Sequence, residues 1–252
     1  LFERSTRSLR LTDAGSELLV YVKGMADAAS QISRVAVGQS QTIKGTVRVT
    51  SSDAMAAYAL PPCMVSLRRK HPGISIELAP SNEISDLTRR EADIAIRHKR
   101  PEQPDLVAKR IDDIEISLFA SAEYLDAFGP ADSLADFSGA NFIGFQHPDR
   151  LVSQVAAMGI PVSRENFGIT ATTGSAMYEL VREVAGIAFL PIIVAEGRFG
   201  LQRILPEALS FKMETWLVTH REIKTSRRVR LTFDRIAEFL AKDRWAGLNA
   251  RS

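Results

Sequence analysis

Leu18, Val22, Met25, Ala29, Ile32 and Ala36 recur at spacings of 4, 3, 4, 3 and 4. Alternating steps of three and four are the seam of a coiled coil. The pattern predicts one uninterrupted helix over residues 13–37, about 37 Å long at 1.5 Å per residue. Thr12 before Asp13 and Ala14 supplies a hydroxyl N-cap and an acid in the first turn. Gly38 and the polar residues 39–42 end the pattern. A helix that lies on its own domain carries a wider apolar stripe. Here little but Leu19 and Ala26 flanks the seam. Pairing with a second copy is therefore favoured over packing on the same chain, and Ala29 and Ala36 would let the two helices approach closely.

The residues before this helix are basic. Arg4, Arg7 and Arg10, against Glu3, account for the whole formal net charge of +2, so the remainder is balanced. A positive arm is where a nucleic-acid partner would act, although three Arg in ten residues also arise by chance. The chain begins Leu-Phe-Glu-Arg without an initiator Met, and the reading is of a severed N-terminal head.

At Gly45 the periodicity changes. Val47 and Val49 alternate as in a strand, a helix runs from Leu60 through two prolines to Lys70, and His71-Pro72-Gly73 breaks it. Strand patterns follow at Ile74, Ile76 and Leu78 and at residues 92–97, with a short helix at 84–90 between them. Strands alternating with helices over 46–97 predict βαβ units and a mainly parallel sheet. Beyond the loop at residues 101–104 two strands are expected at 106–110 and 114–120. Then come a helix near Tyr124, strands at 142–145 and 167–171, a helix at 175–184 and a strand at 187–190 ended by Pro191. A strand at 213–219 and a helix at 226–242 complete the chain; Val229, Phe233, Ile236 and Leu240 share one face of that helix. The fold class is α/β.

Composition narrows the chemistry. A 45% hydrophobic, 25% charged chain of 252 residues is ordinary for a globular protein. No apolar run approaches a membrane span, and residues 1–252 show neither a signal-peptide pattern nor a disulfide framework. There is no dinucleotide fingerprint, phosphate loop or nucleophile elbow. His71, His98, His147 and His220 are scattered, so no metal site or cofactor is expected. Cys63, in a helix pattern after two prolines, reads as a small core residue. What remains is a set of loops where strands meet helices: Ser51-Ser52, Arg97-His98, Ala120-Ser121 and Thr172-Thr173-Gly174-Ser175. Ligands of open α/β sheets sit at such loops, beside helix N-termini whose amides favour anions. Singly, each hydroxyl is an ordinary N-cap; together they outline a cleft.

Leu1-Phe2, Arg4, Arg7, Leu9, Leu11-Thr12 and Ala14-Gly15 resemble the wing and linker-helix start of the LysR-type transcriptional regulators. Leu60-Pro61, His71-Pro72, Ala92-Asp93-Ile94-Ala95-Ile96-Arg97, Phe119-Ala120-Ser121 with Tyr124-Leu125, Ile143-Gly144-Phe145, Gly186-Ile187-Ala188-Phe189-Leu190-Pro191 and Ser226-Arg227-Arg228-Val229-Arg230 are similar to that family's effector domain, in order along the chain. The resemblance implies a two-lobed, periplasmic-binding-protein-like effector domain preceded by a long linker helix. Residues 1–12 would be the end of a winged helix-turn-helix and 13–42 the dimerisation helix. Residues 43–117 with 218–252 would form one lobe and 118–217 the other, hinged on strands at 116–121 and 216–220. It implies effector contacts at Ser51, Ser52, Arg97, His98, Ser121, Phe145, Gln146 and Thr173, with Arg4, Arg7 and Arg10 touching the DNA backbone. The implied partners are double-stranded DNA for an intact protein, a small metabolite, a second copy or a tetramer, and RNA polymerase. No catalytic residue is expected. The alternative is a solute-binding protein of the same fold, which has no use for a heptad helix. Asp53, beside the implied pocket, would disfavour an anionic effector unless it pointed away or paired with Arg97.

Overall fold

The computed structural model describes residues 1–4, 9–38, 42–82 and 92–241. Strands β1 (Phe2–Arg4) and β2 (Leu9–Leu11) form an antiparallel hairpin with Phe2 opposite Leu11. Helix α1 (Asp13–Gly38) follows directly. Thr12 caps it, its hydroxyl accepting from the Gly15 N–H at 3.0 Å. The Thr12 N–H donates to the Leu1 carbonyl at 3.0 Å, which ties the hairpin to the helix. Gly15 is buried at this junction, where a Cβ would lie 2.2 Å from the Leu1 carbonyl oxygen. Only glycine fits.

Two of the expected elements fall wholly or partly outside the described residues: the helix at 84–90, and the last helix beyond residue 241. Arg7 and the side chains of Arg4 and Ala36 lie outside them as well.

The body is built on a seven-stranded sheet in the order β10 (Gln202–Ile204), β6 (Leu106–Ala120), β11 (Ser210–His220), β5 (Ile94–Arg97), β3 (Gly45–Thr50) and β4 (Ile74–Leu78), with β9 (Ala188–Pro191) also on β6. Strand β3 (Gly45–Thr50) pairs in parallel with β4 (Ile74–Leu78) and β5 (Ile94–Arg97). These two pairings are parallel, as the alternation of strands and helices over 46–97 predicts. The expectation of a mainly parallel sheet is corrected: the other pairings of the sheet are antiparallel, because its remaining strands are not joined to their neighbours by single helical crossovers. Between β3 and β4, a π-helical turn (Met55–Ala59) leads into α2 (Pro61–Lys70). Pro61 and Pro62 have no N–H to donate and are suited to a first helical turn.

Strand β6 (Leu106–Ala120) corrects the expectation of two separate strands: it is one strand of 15 residues. Asp112 and Asp113 interrupt the apolar pattern without breaking the strand. Along the antiparallel pairing with β11 (Ser210–His220), Ile111 faces Thr215 and Ile114 faces Met213, so β6 carries an extra residue there. A bulge of this kind absorbs the acidic pair and bends the strand. Beyond the bulge the C-terminal half of β6 pairs with β9 (Ala188–Pro191) and β10 (Gln202–Ile204). Strands β6 and β11 thus run side by side from one apolar core into the next.

Helix α3 (Ala122–Phe128), the parallel pair β7 (Ile143–Phe145) and β8 (Ile169–Ala171), and helices α4 (Pro148–Ala157), α5 (Gly174–Arg182) and α6 (Ile192–Phe199) build the second lobe. Helices α4 and α6 were not expected from the sequence. Pro191 reads as the end of a strand, yet it is also the N-cap of α6. The final helix, α7 (Arg227–Leu240), buries Val229, Phe233, Ile236 and Leu240 against β3, β5 and α2 residues such as Val49, Ile96 and Met64, as its periodicity predicts. Each such side chain contributes roughly 1.5–3 kcal/mol by leaving water. Cys63 is buried in the same core, and burial pushes its thiol up to about 11, as befits an inert packing residue.

Candidate functional site

The two lobes meet at a carboxylate. Asp53 follows the C-terminal end of β3 and reaches across to the first turn of α5. Its Oδ1 accepts from the Gly174 N–H at 3.0 Å and its Oδ2 from the Ser175 N–H at 2.7 Å. The Ser175 hydroxyl also donates to Oδ2. Asn82 secures the other side: its Nδ2 donates to Asp53 Oδ1 at 2.7 Å and to the Thr172 carbonyl at 3.3 Å, while its Oδ1 accepts from the Asp53 N–H at 3.2 Å. Burial by itself would raise the Asp53 pKa. The hydrogen bonds from Ser175, Asn82 and Gly174 together outweigh it and hold the carboxyl below the ordinary 3.8. Asp53 is therefore ionised at neutral pH.

Behind this contact lies a cavity of about 410 Å³ between the lobes. Its walls are apolar, with Met55, Ile116, Phe145, Phe189, Phe211 and Met213 contributing from both lobes and from β6 and β11. Ser52, Asp53, Asn82 and His98 supply polar groups. A second cavity of about 430 Å³ shares Ser52, Asn82, His98 and Phe145 with the first, so the two adjoin. Arg97, Lys99, Arg100 and Gln103 make its far wall polar and basic. Arg100 lies over the Trp216 ring, 5.5 Å from its centroid. A concave apolar chamber with a few convergent polar groups is the usual form of a small-molecule site.

His98 sits where the two cavities join. Its Nδ1 is 3.3 Å from the Glu214 carbonyl oxygen. Burial, with the nearby Arg97 charge assisting, lowers its pKa from 6.5 against the opposing effect of that hydrogen bond. The ring is neutral at pH 7 and can offer a ligand a hydrogen bond without a charge.

The residues marked from sequence divide. Ser52, Arg97, His98 and Phe145 line the cavities. Ser51 is buried, with its hydroxyl donating to the Ser52 carbonyl at 3.1 Å. The Ser121 hydroxyl caps α3 by accepting from the Tyr124 N–H at 3.2 Å, and the residue lines neither cavity. Gln146 is exposed, in left-handed backbone conformation at φ 55°, and also lies outside both linings. Thr173 caps α5 through its contact with the Ala176 N–H at 3.4 Å, immediately beside the Asp53 contact. For Ser121 and Thr173 the ordinary reading of a helix-start hydroxyl is the one the structure displays. Ser175 belongs to a loop that the strand-to-helix pattern marks, whereas Asn82 and the walls from Phe189 and Phe211 are additions to the residues named from sequence.

Outside the body, α1 presents its seam to solvent. Leu18 is 47% exposed, and Met25 and Ile32 are each 73% exposed; Val22 and Ala29 are exposed too. Tyr21, which the heptad spacing passes over, adds a 72% exposed ring beside them. Arg10 is exposed at the foot of the hairpin. Among the described residues, no helix is long and apolar enough to cross a membrane.

Comparison with known proteins places this architecture. The chain is 27% identical over 210 residues to the transcriptional regulator CrgA of Neisseria meningitidis serogroup C, covering 82% of this chain and 69% of that protein. It is 24% identical over 249 residues to the transcriptional activator AaeR of Escherichia coli K12, covering 96% and 80%. The full-length structure of the Vibrio cholerae virulence activator AphB superposes with a TM-score of 0.71 at 19% identity, over 95% of this chain and 84% of that one, a likeness of fold. The family model described as the LysR substrate binding domain matches residues 40–241, most of the chain, and the protein belongs to that family.

Proposed function

We propose that this chain carries the ligand-sensing and self-associating parts of a cytoplasmic, LysR-type transcriptional regulator, and that it performs no catalysis of its own. A small molecule binds in the chamber between the lobes. Its binding alters the angle between them and hence the geometry of an assembly held by α1, which in the intact protein governs how promoter DNA is gripped. The observation that carries this reading is the apolar cavity walled by both lobes and by β6 and β11, the two strands that pass between them. A ligand there touches both lobes at once, so its affinity differs between lobe angles, and only such a difference can shift a conformational equilibrium.

The division into residues 43–117 with 218–252 and 118–217 is supported by separate apolar cores, one around Leu60, Ile96 and Phe233, the other around Phe137, Phe142 and Phe167. The hairpin of β1 and β2 supports a wing at residues 1–12, with Arg4, Arg7 and Arg10 as backbone-phosphate contacts, since arginine at such positions orients a protein on the duplex without reading bases. Exposure of the seam on α1 supports a dimer, on which a tetramer can build.

A thermal-shift screen of small aromatic, alicyclic and aliphatic metabolites tests the central claim. A ligand that binds only the folded chain at ~100 times its dissociation constant adds about 2.7 kcal/mol. The expected result is a saturable hit that is lost when Met213→Trp and Phe189→Trp fill the chamber. A hit unaffected by those changes would place the ligand elsewhere and overturn the reading.

A further inference from the structure

The first-turn amides of a helix have no partners within the helix and carry its partial positive charge. They are an anion socket, and in a two-lobed binding protein such a socket beside the cleft invites a ligand carboxylate. Here the socket of α5 is already filled from inside the protein. Asp53 takes the Gly174 and Ser175 amides on separate oxygens, adds the Ser175 hydroxyl, and is clamped from behind by Asn82. The fit leaves no spare room. A Cβ on Gly174 would stand 3.0 Å from the Ala54 Cβ and 3.6 Å from Asp53 Oδ1. The carboxylate and the amides it holds lie 121 and 122 residues apart in sequence and on opposite lobes. The wall of the adjoining chamber is almost wholly apolar.

We propose that Asp53 is a built-in substitute for a ligand carboxylate: it latches the two lobes through the N-terminus of α5, and it reserves the apolar chamber for uncharged ligands by occupying the helix-terminal socket beside it. A carboxylate ligand has to displace Asp53 or lie against it, and like charges at that distance repel. An uncharged ligand meets the apolar walls and the neutral His98 and leaves the latch in place. The latch stands by itself; the selectivity rests on the chamber being the effector site.

Two measurements separate these parts. Amide hydrogen exchange reads the latch without any ligand. In Asp53→Ala the Gly174 and Ser175 amides are expected to exchange about tenfold faster or more, the loss that a charge-assisted hydrogen bond implies, while the Ala176 amide, held by Thr173, is unchanged. Asp53→Asn, which keeps the shape and loses the charge, should fall between and guards against a misfolded alanine variant. Exchange at Gly174 and Ser175 within twofold of the parent in both variants would overturn the latch. Benzamide and benzoate, equal in shape and different in charge, then read the selectivity by thermal shift, with sodium chloride as the ionic control. Benzamide is expected to stabilise both parent and Asp53→Ala, and benzoate only Asp53→Ala, whose vacated amides it would fill. Benzoate binding the parent as tightly as the variant would overturn the selectivity. Altered exchange with no response to either probe in either protein would uphold the latch and overturn the selectivity, while the chamber's role as an effector site is read separately by the metabolite screen.

Discussion

Helix α1 and the interlobe chamber both hold apolar surface outside the packed cores, and they hold it in opposite shapes. On α1 it is a narrow convex stripe, with Leu18, Met25 and Ile32 standing in solvent. In the chamber, Ile116, Phe189 and Phe211 line a cavity of about 410 Å³. A convex stripe on a rod can be covered only by another extended surface, and a second copy of the same helix is the one partner certain to carry a matching stripe. A concavity of this size is too small for a helix and admits a small molecule. Burial of carbon is the driving force in each region, and curvature decides what does the burying.

The largest effect should come from attacking the stripe. Met25→Asp with Ile32→Asp places four buried carboxylates in a paired seam, counting both copies. At roughly 1.5 kcal/mol or more for each lost apolar contact, association should weaken by about 6 kcal/mol. Sedimentation should then show monomers with an intact body. Parent and variant sedimenting alike would mean that the stripe is not an interface, and would favour a monomeric solute-binding protein.

Phe233→Ala strikes the core beneath the chamber rather than either surface, and should cost about 3–5 kcal/mol in denaturant unfolding without moving the dimerisation constant once folded. A change in association of the folded protein would show that the body, as well as α1, takes part in pairing.

Gly174→Ala sharpens the concave side. Its methyl group wedges against Ala54 at the lobe junction, and a misfit of that kind costs typically about 1–3 kcal/mol. The expected signature is a loss of Ser175 amide protection with α1 pairing untouched; unchanged protection would show that the lobes close without the tight approach.

The smallest effect is that of acid. Because the folded pKa of Asp53 lies below its ordinary 3.8, the stabilisation it brings is fully present above that value and lost as the pH falls through the depressed one. The Ser175 amide resonance should titrate with a midpoint below 3.8. A midpoint above 3.8 would mean that burial outweighs the hydrogen bonds.

How much of this was legible beforehand depends on the distance over which each signal acts. The α1 seam, its Thr12 cap and the buried face of α7 were readable because helix periodicity and capping involve residues three or four apart. The parallel pairing of β3 with β4 and β5 followed from connection rules. In sequence Asp112-Asp113 resembles a break between two strands, and only the β11 register reveals a bulge within one. At the site, Ser52, Arg97, His98 and Phe145 lie on loops that strand ends predict, whereas Ser121 turned inward to cap its own helix. Asp53 is an awkward charge in the sequence, and its pairing with the Gly174 and Ser175 amides, 121 and 122 residues away, carries no local signal.

The sequence by itself determined most of the elements, the α/β class, the solvent-facing seam and the loops from which a site could be built, because those depend on spacing within a few residues and on which side chains avoid water. Only the tertiary structure decided which loops meet, how much empty volume they enclose, and that a carboxylate from one lobe occupies the helix terminus of the other. Those outcomes depend on chain closure over more than a hundred residues, where local pattern is silent and packing selects the contacts.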